Sequence, residues 1–162
     1  MNLVFRLAFL ASMVFCLSCS WLPKVTVIDD PLDKQEHLTL GLAYEKDGQL
    51  ELAEREYKLA RPLAQANYAL GNLNFQKGKS AEARKFYQEA LRVDKLPAAS
   101  NNLAWLILTE GGDLNQARQL ALQAVEEGQK RGEDEARLDS YRSTLRQIER
   151  ALKGAKVPLS AI

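Results

Sequence analysis

Apolar and polar positions recur with a helical period in a series of short windows, each closed by a glycine or a proline. Leu38, Leu40, Leu42, Ala43 and Tyr44 make the first window, and Asp47-Gly48 breaks it. Leu50, Ala53, Tyr57 and Ala60 then stand three and four residues apart, on one face of a second helix. Pro62 marks the next boundary. The order returns with Leu70, a break at Lys77-Gly78-Lys79, and Ala83, Tyr87 and Ala90. A third unit runs from Asn101 to Trp105, turns at Gly111-Gly112-Asp113 and continues through Ala117, Ala121 and Ala124. Asp113 and Gln116 have capping-box spacing. The pattern predicts helical hairpins over 30–153, opened by Asp30 as N-cap with Pro31 at the first helical position and Asp33 three residues after the cap. A last amphipathic helix is predicted over 134–152, with Leu138, Tyr141, Leu145, Ile148 and Leu152 along one face. The fold class read from this pattern is all-α, and residues 154–162 read as a frayed tail.

The N-terminus has a different pattern. Arg6 is followed by an apolar run from Leu7 to Leu17, then Ser18, Cys19 and Ser20. A charged start, a short apolar core and a small residue at the end describe a secretory signal peptide, too short for a permanent span. The run Leu17-Ser18-Cys19 resembles a bacterial lipobox. That resemblance implies cleavage after residue 18, with Cys19 as the lipidated first residue of the mature chain, although Cys16 stands where the motif usually has leucine. Several acyl chains together anchor a protein stably where one does not. Ser20, where aspartate would signal inner-membrane retention, implies the periplasmic face of the outer membrane. Residues 19–29 form a tether in which Pro23 and the β-branched Val25 to Ile28 disfavour helix.

Repetition at 30–35 residues points to a solenoid, and the spacing resembles the tetratricopeptide repeat (TPR), a helix–turn–helix unit. Its small first-helix residue is matched by Gly41, Gly71 and Ala104, and its second-helix alanine by Ala53, Ala83 and Ala117. The large residue that follows is Tyr57 and Tyr87, replaced by Ala121 in the third unit; the closing alanine is Ala60, Ala90 and Ala124. The first-helix aromatic is matched by Tyr44 alone, with Asn74 and Ile107 in its place elsewhere. The first unit is shortened after Ala60, the third carries an extra residue at Gly111-Gly112, and Pro62 and Pro97 are displaced from the usual closing proline. The resemblance implies about three hairpins, with 134–152 as a helix that shields the last apolar face.

The family's pattern also implies a concave groove lined by first helices. Counted from Lys34, Ala64 and Pro97, it contains Leu38, Leu42, Glu45, Tyr68, Asn72, Phe75, Gln76, Asn101, Trp105 and Leu108, with Asn102 beside them. Tyr68, Phe75 and Trp105 are anchor residues of the kind that dominate interfaces. Asn72, Asn101 and Asn102 each carry a donor and an acceptor suited to peptide groups. The chaperone-type carboxylate clamp is matched at Asn72 and Asn102 but not at Tyr68, where it needs lysine, and its later basic pair is missing. The implied ligand is an apolar or neutral peptide segment.

Composition removes other classes. The net charge is +1, and loss of residues 1–18 removes Arg6 and no acid, leaving 21 basic and 21 acidic side chains. No basic stripe offers a path for nucleic acid. Both cysteines lie in the first twenty residues and His37 is the one histidine, so neither a thiol nucleophile nor a metal site is expected in the body. No phosphate-loop or nucleophile-elbow motif occurs, and neither a cofactor nor catalysis is expected. The expected function is a membrane-anchored adaptor of the bacterial cell envelope that binds another envelope protein, similar to small TPR lipoproteins serving as pilotins or scaffolds. The alternatives are an accessory that presents substrate to an envelope peptidase or exporter, and a self-associating structural subunit.

Overall fold

The computed structural model describes residues 30–154. The leader, Cys19, the tether and tail residues 155–162 lie outside the described residues. Within them the elements are α1 (Lys34–Lys46), α2 (Leu50–Leu59), α3 (Ala64–Gln76), α4 (Ser80–Val93), α5 (Pro97–Thr109), α6 (Leu114–Lys130) and α7 (Glu135–Leu152). They pack as the hairpins α1–α2, α3–α4 and α5–α6, each hairpin contacting the next, and α7 closes against both α6 and α5.

The first helix starts later than its sequence predicts. Its N-cap is Asp33, not Asp30: the Asp33 carboxylate accepts from the Gln35 and Glu36 amides at 2.7 and 2.8 Å, and Glu36 accepts from the Asp33 amide at 2.7 Å. A reciprocal box needs a side chain at the third helical position long enough to reach back. Glu36 provides it for Asp33, whereas Asp33 is too short to provide it for Asp30.

Each first helix ends on the same turn. Gly48, Gly78 and Gly111 take φ of +74°, +70° and +68°, and the next amide reaches back to Tyr44, Asn74 or Ile107 at 2.8, 2.9 and 2.9 Å. This is the left-handed C-terminal cap that glycine adopts without steric cost. In the third turn Gly112 makes that return bond, and the extra residue places Asp113 as the side-chain cap of α6. The short first repeat has a local cause. The helix α2 has 10 residues against 14 in α4, because Pro62 has no amide to continue the ladder and would clash one turn back. Buried Asn67 then braces the link, donating to the Pro62 and Leu63 carbonyls and accepting from Arg61 Nε at 3.1 Å.

The hairpins are set by close approach. A Cβ at Gly41 would fall 2.6 Å from the Tyr57 ring, and one at Gly71 2.5 Å from the Tyr87 ring. Both tyrosines are buried to 1% exposure or less, so the ring occupies the space a side chain would need. In the third hairpin both members change together: Ala104 replaces the glycine and Ala121 the tyrosine, and both are fully buried. Second helices bury one face only, as at Ala83, Tyr87 and Ala90 of α4. First helices within the stack bury more, α3 along Ala66, Leu70 and Leu73 and α5 along Leu103, Leu106 and Ile107.

Successive hairpins are also tied by charge. Glu54 of α2 meets Lys77 at 2.5 Å, Arg84 of α4 pairs with Glu110, and Arg118 of α6 approaches Glu149 of α7 at 3.7 Å. Each second-helix partner directly follows the packed alanine of its repeat. Two lysines, Lys58 at 2.7 Å and Lys77, hold the Glu54 carboxyl at about 2, below its ordinary 4.5.

Two outcomes follow from this packing. Gly71→Ala costs about 1–3 kcal/mol by overpacking. In a Tyr87→Ala background the same change stabilises by up to about 1 kcal/mol, the helix preference of alanine over glycine; a urea-denaturation cycle checks the reversal of sign. Glu54→Gln lowers stability at pH 7 by about 1 kcal/mol. A carboxyl depressed in the fold stabilises above its unfolded pKa, so that difference is intact above about 4.5 and fades as pH falls toward 2, read from paired denaturation midpoints.

Candidate functional site

The face presented by α3, α5 and α7 carries three neighbouring depressions. The smallest, about 90 Å³, lies between Phe75, Tyr87, Asn102 and Trp105. A second, of about 350 Å³, is lined by Tyr68 of α3, Asn101 and Asn102 of α5, and Arg137, Ser140 and Tyr141 of α7. The third, of about 520 Å³, runs along Asn101, Asn102 and Trp105 and is walled by Asp139, Ser140, Ser143 and Gln147 of α7. Asn102 lines all three, which sets them side by side around one side chain, and together they make the candidate groove.

Helical spacing explains the arrangement. Tyr68, Asn72 and Phe75 stand four and three residues apart on α3, and Asn101, Trp105 and Leu108 repeat that spacing on α5. Phe75 is 40% exposed, whereas Tyr68 and Trp105 are half-buried and rest on the core beneath. The Tyr68 and Tyr87 rings sit 6.1 Å apart with a 39° tilt.

Asparagine side chains link α3 to α5. Tyr87 donates its hydroxyl proton to Asn72 Oδ1 at 2.9 Å, Asn102 Nδ2 donates to the same oxygen at 3.0 Å, and Asn101 Nδ2 reaches Asn102 Oδ1 at 3.4 Å. Burial pushes the Tyr87 hydroxyl up to about 12, so it remains a donor. Asn101 Oδ1 and Ser100 Oγ are buried acceptors without a partner among the described residues. The charges on the α7 wall are paired with one another, Arg137 with Asp134 at 3.5 Å and Asp139 with Arg146 at 3.6 Å.

Of the residues expected in the groove, Tyr68, Phe75, Asn101, Asn102 and Trp105 line it, and Asn72 joins it through the ladder. Leu108 does not. It is 7% exposed inside the core cluster with Ile107 and Ile148, because α7 packs against α5 and covers it. Leu38, at 4% exposure, is likewise core, packed with Tyr57 and Leu70, while Leu42 stands 53% exposed. His37 is buried, with Nδ1 2.7 Å from Glu56 Oε2, and ties α1 to α2. The contribution of α7 was not anticipated. The sequence marks it only through the polar stripe Asp139, Ser140, Ser143 and Gln147, which forms the exposed side of an amphipathic helix.

The comparisons with known proteins agree with this architecture. Residues 64–96, which span α3 and α4, match the family described as Tetratricopeptide repeat. No curated protein matches the chain. Among solved structures, the chain is similar to the TPR domain of Sgt2 from Aspergillus fumigatus, at 19% identity over 80% of this chain and 87% of that one, with a TM-score of 0.58. The helices from Lys34 to Leu152 therefore take the fold of a tetratricopeptide-repeat α-solenoid.

Proposed function

We propose that this protein is a non-catalytic adaptor that binds an extended peptide segment of a partner in the groove of α3, α5 and α7. The observation that carries the reading is the groove's lining. Three aromatic rings, Tyr68, Phe75 and Trp105, flank a row of asparagine amides on rigid helices, and the nearby charges are already paired. Aromatic anchors supply contact area at low entropic cost, and amides supply donors and acceptors of the kind a peptide main chain needs. Such a lining suits a neutral segment better than a terminal carboxylate, since no lysine takes the Tyr68 position.

We place the adaptor at the bacterial cell envelope, held by acyl chains on Cys19. The support is in the sequence: the basic start, the apolar run to Leu17 and the small residue Ser18 before the cysteine. Its partner is then another envelope protein, recruited or positioned at the membrane.

Crosslinked recovery from native membranes tests the binding reading. Wild-type protein recovers one envelope partner, and the triple variant Tyr68→Ala/Asn72→Ala/Trp105→Ala, folded by circular dichroism, loses it. Recovery of the same partner by the variant refutes the groove. For the anchor, the intact mass of detergent-extracted protein should equal the chain from Cys19 plus its acyl groups, and Cys19→Ala should release the protein from membranes. An unmodified mass refutes lipidation.

A further inference from the structure

Beyond the peptide reading above, the geometry points to a second ligand: the part of the groove walled by α7 takes an uncharged, N-acetylated sugar of a glycan chain.

The two sides of the groove differ in chemistry. From α3 come the rings of Tyr68 and Phe75. From α7 come Asp139, Ser140, Ser143 and Gln147, which share the 520 Å³ depression with Asn102 and Trp105. Their spacing of three and four residues puts them on one stripe of the helix. Ser143 and Gln147 are half-buried, yet the side chains of Ser140, Ser143 and Gln147 make no hydrogen bond among the described residues. Asp139 has its charge balanced by Arg146 at 3.6 Å, a separation that leaves its oxygens able to accept. A serine hydroxyl turns to donate or accept, and a glutamine amide does both. A peptide main chain offers one N–H and one C=O in fixed alternation. A sugar ring offers several hydroxyls that each do both, and it is the better match for a row of unspent groups that do the same. The paired charges on the wall, Arg137 with Asp134 and Asp139 with Arg146, favour a ligand without charge.

The neighbouring features specify which sugar. Trp105 lines both the polar depression and the 90 Å³ slot, so its indole stands at their border. An aromatic ring of this kind gives an apolar surface to the C–H face of a pyranose, while the hydroxyls at the sugar's rim reach the polar wall. The slot is bounded by the rings of Phe75, Tyr87 and Trp105 and by the Asn102 amide. It holds a methyl group and not a second ring. An apolar niche that opens beside an amide is what an acetamido group needs, with its methyl inside and its polar edge at Asn102. The 350 Å³ depression, which adjoins Asn102 and carries Tyr68 and Ser140, then receives the next sugar, so the site takes a chain.

The test uses the full-length chain in a detergent without a sugar headgroup. The probes are N-acetylglucosamine oligomers of one to six units, followed by calorimetry and by backbone amide shifts. The tetramer should bind, shift the amides of Asn102, Trp105 and Ser143, and bind more tightly than the monomer. Cellotetraose, with hydroxyls in place of the acetamido groups, should bind about tenfold more weakly, in line with one buried methyl and one hydrogen bond. Ser143→Ala and Gln147→Leu change the outer side of α7 and should each weaken the tetramer roughly 3–10-fold with the fold intact by circular dichroism. No binding by any oligomer overturns the inference, as does tetramer binding that both α7 variants leave unchanged. Equal binding of cellotetraose overturns the acetamido assignment, and equal binding of monomer and tetramer overturns the chain. If the triple groove variant loses its crosslinked partner while no oligomer binds the wild type, the peptide reading stands and the glycan site falls. If the oligomers bind as expected while that partner survives the triple change, the glycan site stands and the peptide reading falls.

Discussion

The rest of the structure depends on the contact, in each of the first two hairpins, between a glycine of the first helix and a tyrosine ring of the second. At Gly41 and Gly71 the ring lies where a Cβ would be, so the two helices cross at backbone distance and the tyrosine is sealed between them. A ring held that tightly has one fixed direction for its hydroxyl. Tyr57 delivers it to Glu45, and Tyr87 to Asn72. Packing and groove chemistry are thus set by the same residue. The third hairpin, with Ala104 against Ala121, needs no such ring. Its apolar space is shared instead with Ile148 and Leu145 of α7, and a looser glycine contact appears one step later, where a Cβ at Gly128 would fall 2.9 Å from the Leu138 side chain and 3.2 Å from the Tyr141 ring.

A solenoid of similar units must also choose which unit follows which. The ties after each packed alanine address this, because the first is opposite in sign to the other two: acid to base at Glu54–Lys77, base to acid at Arg84–Glu110 and at Arg118–Glu149. Each pair is partly exposed and individually worth little. Their value lies in discrimination. A stack that placed α2 against α5 would set Glu54 beside Glu110, and like charges at a contact raise the free energy of the wrong order.

Local rules made much of this legible. The hairpins, the glycine turns and the paired change of Gly and Tyr to Ala104 and Ala121 are visible in the sequence because each involves residues of fixed spacing. Most of what was not legible depends on elements far apart in sequence. Leu108 shares the spacing of Trp105 and becomes core only because α7 lies across it. Asn72 shows its type but not that Tyr87, fifteen residues on, occupies its oxygen. The start of α1 was misplaced because Asp30 and Asp33 are both credible caps. The reach of the side chain three residues later decides between them, and composition alone does not encode it.

The ladder has a further energetic consequence for binding. An asparagine free on a surface must give up its rotamers when it meets a ligand, at a cost of roughly 0.5–1.5 kcal/mol for each side chain immobilised. Asn72 and Asn102 have lost that freedom on folding, through bonds that use one edge of each amide and leave hydrogens on the other. Trp105 and Tyr68, half-buried on the core, are similarly restrained. A ligand entering this groove therefore meets a surface already ordered, with binding free energy left to offset the ordering of the peptide itself. Under the proposed function, a shallow and open groove can hold an extended segment because α3, α5 and α7 keep Asn72, Asn102, Tyr68 and Trp105 in place before the ligand arrives.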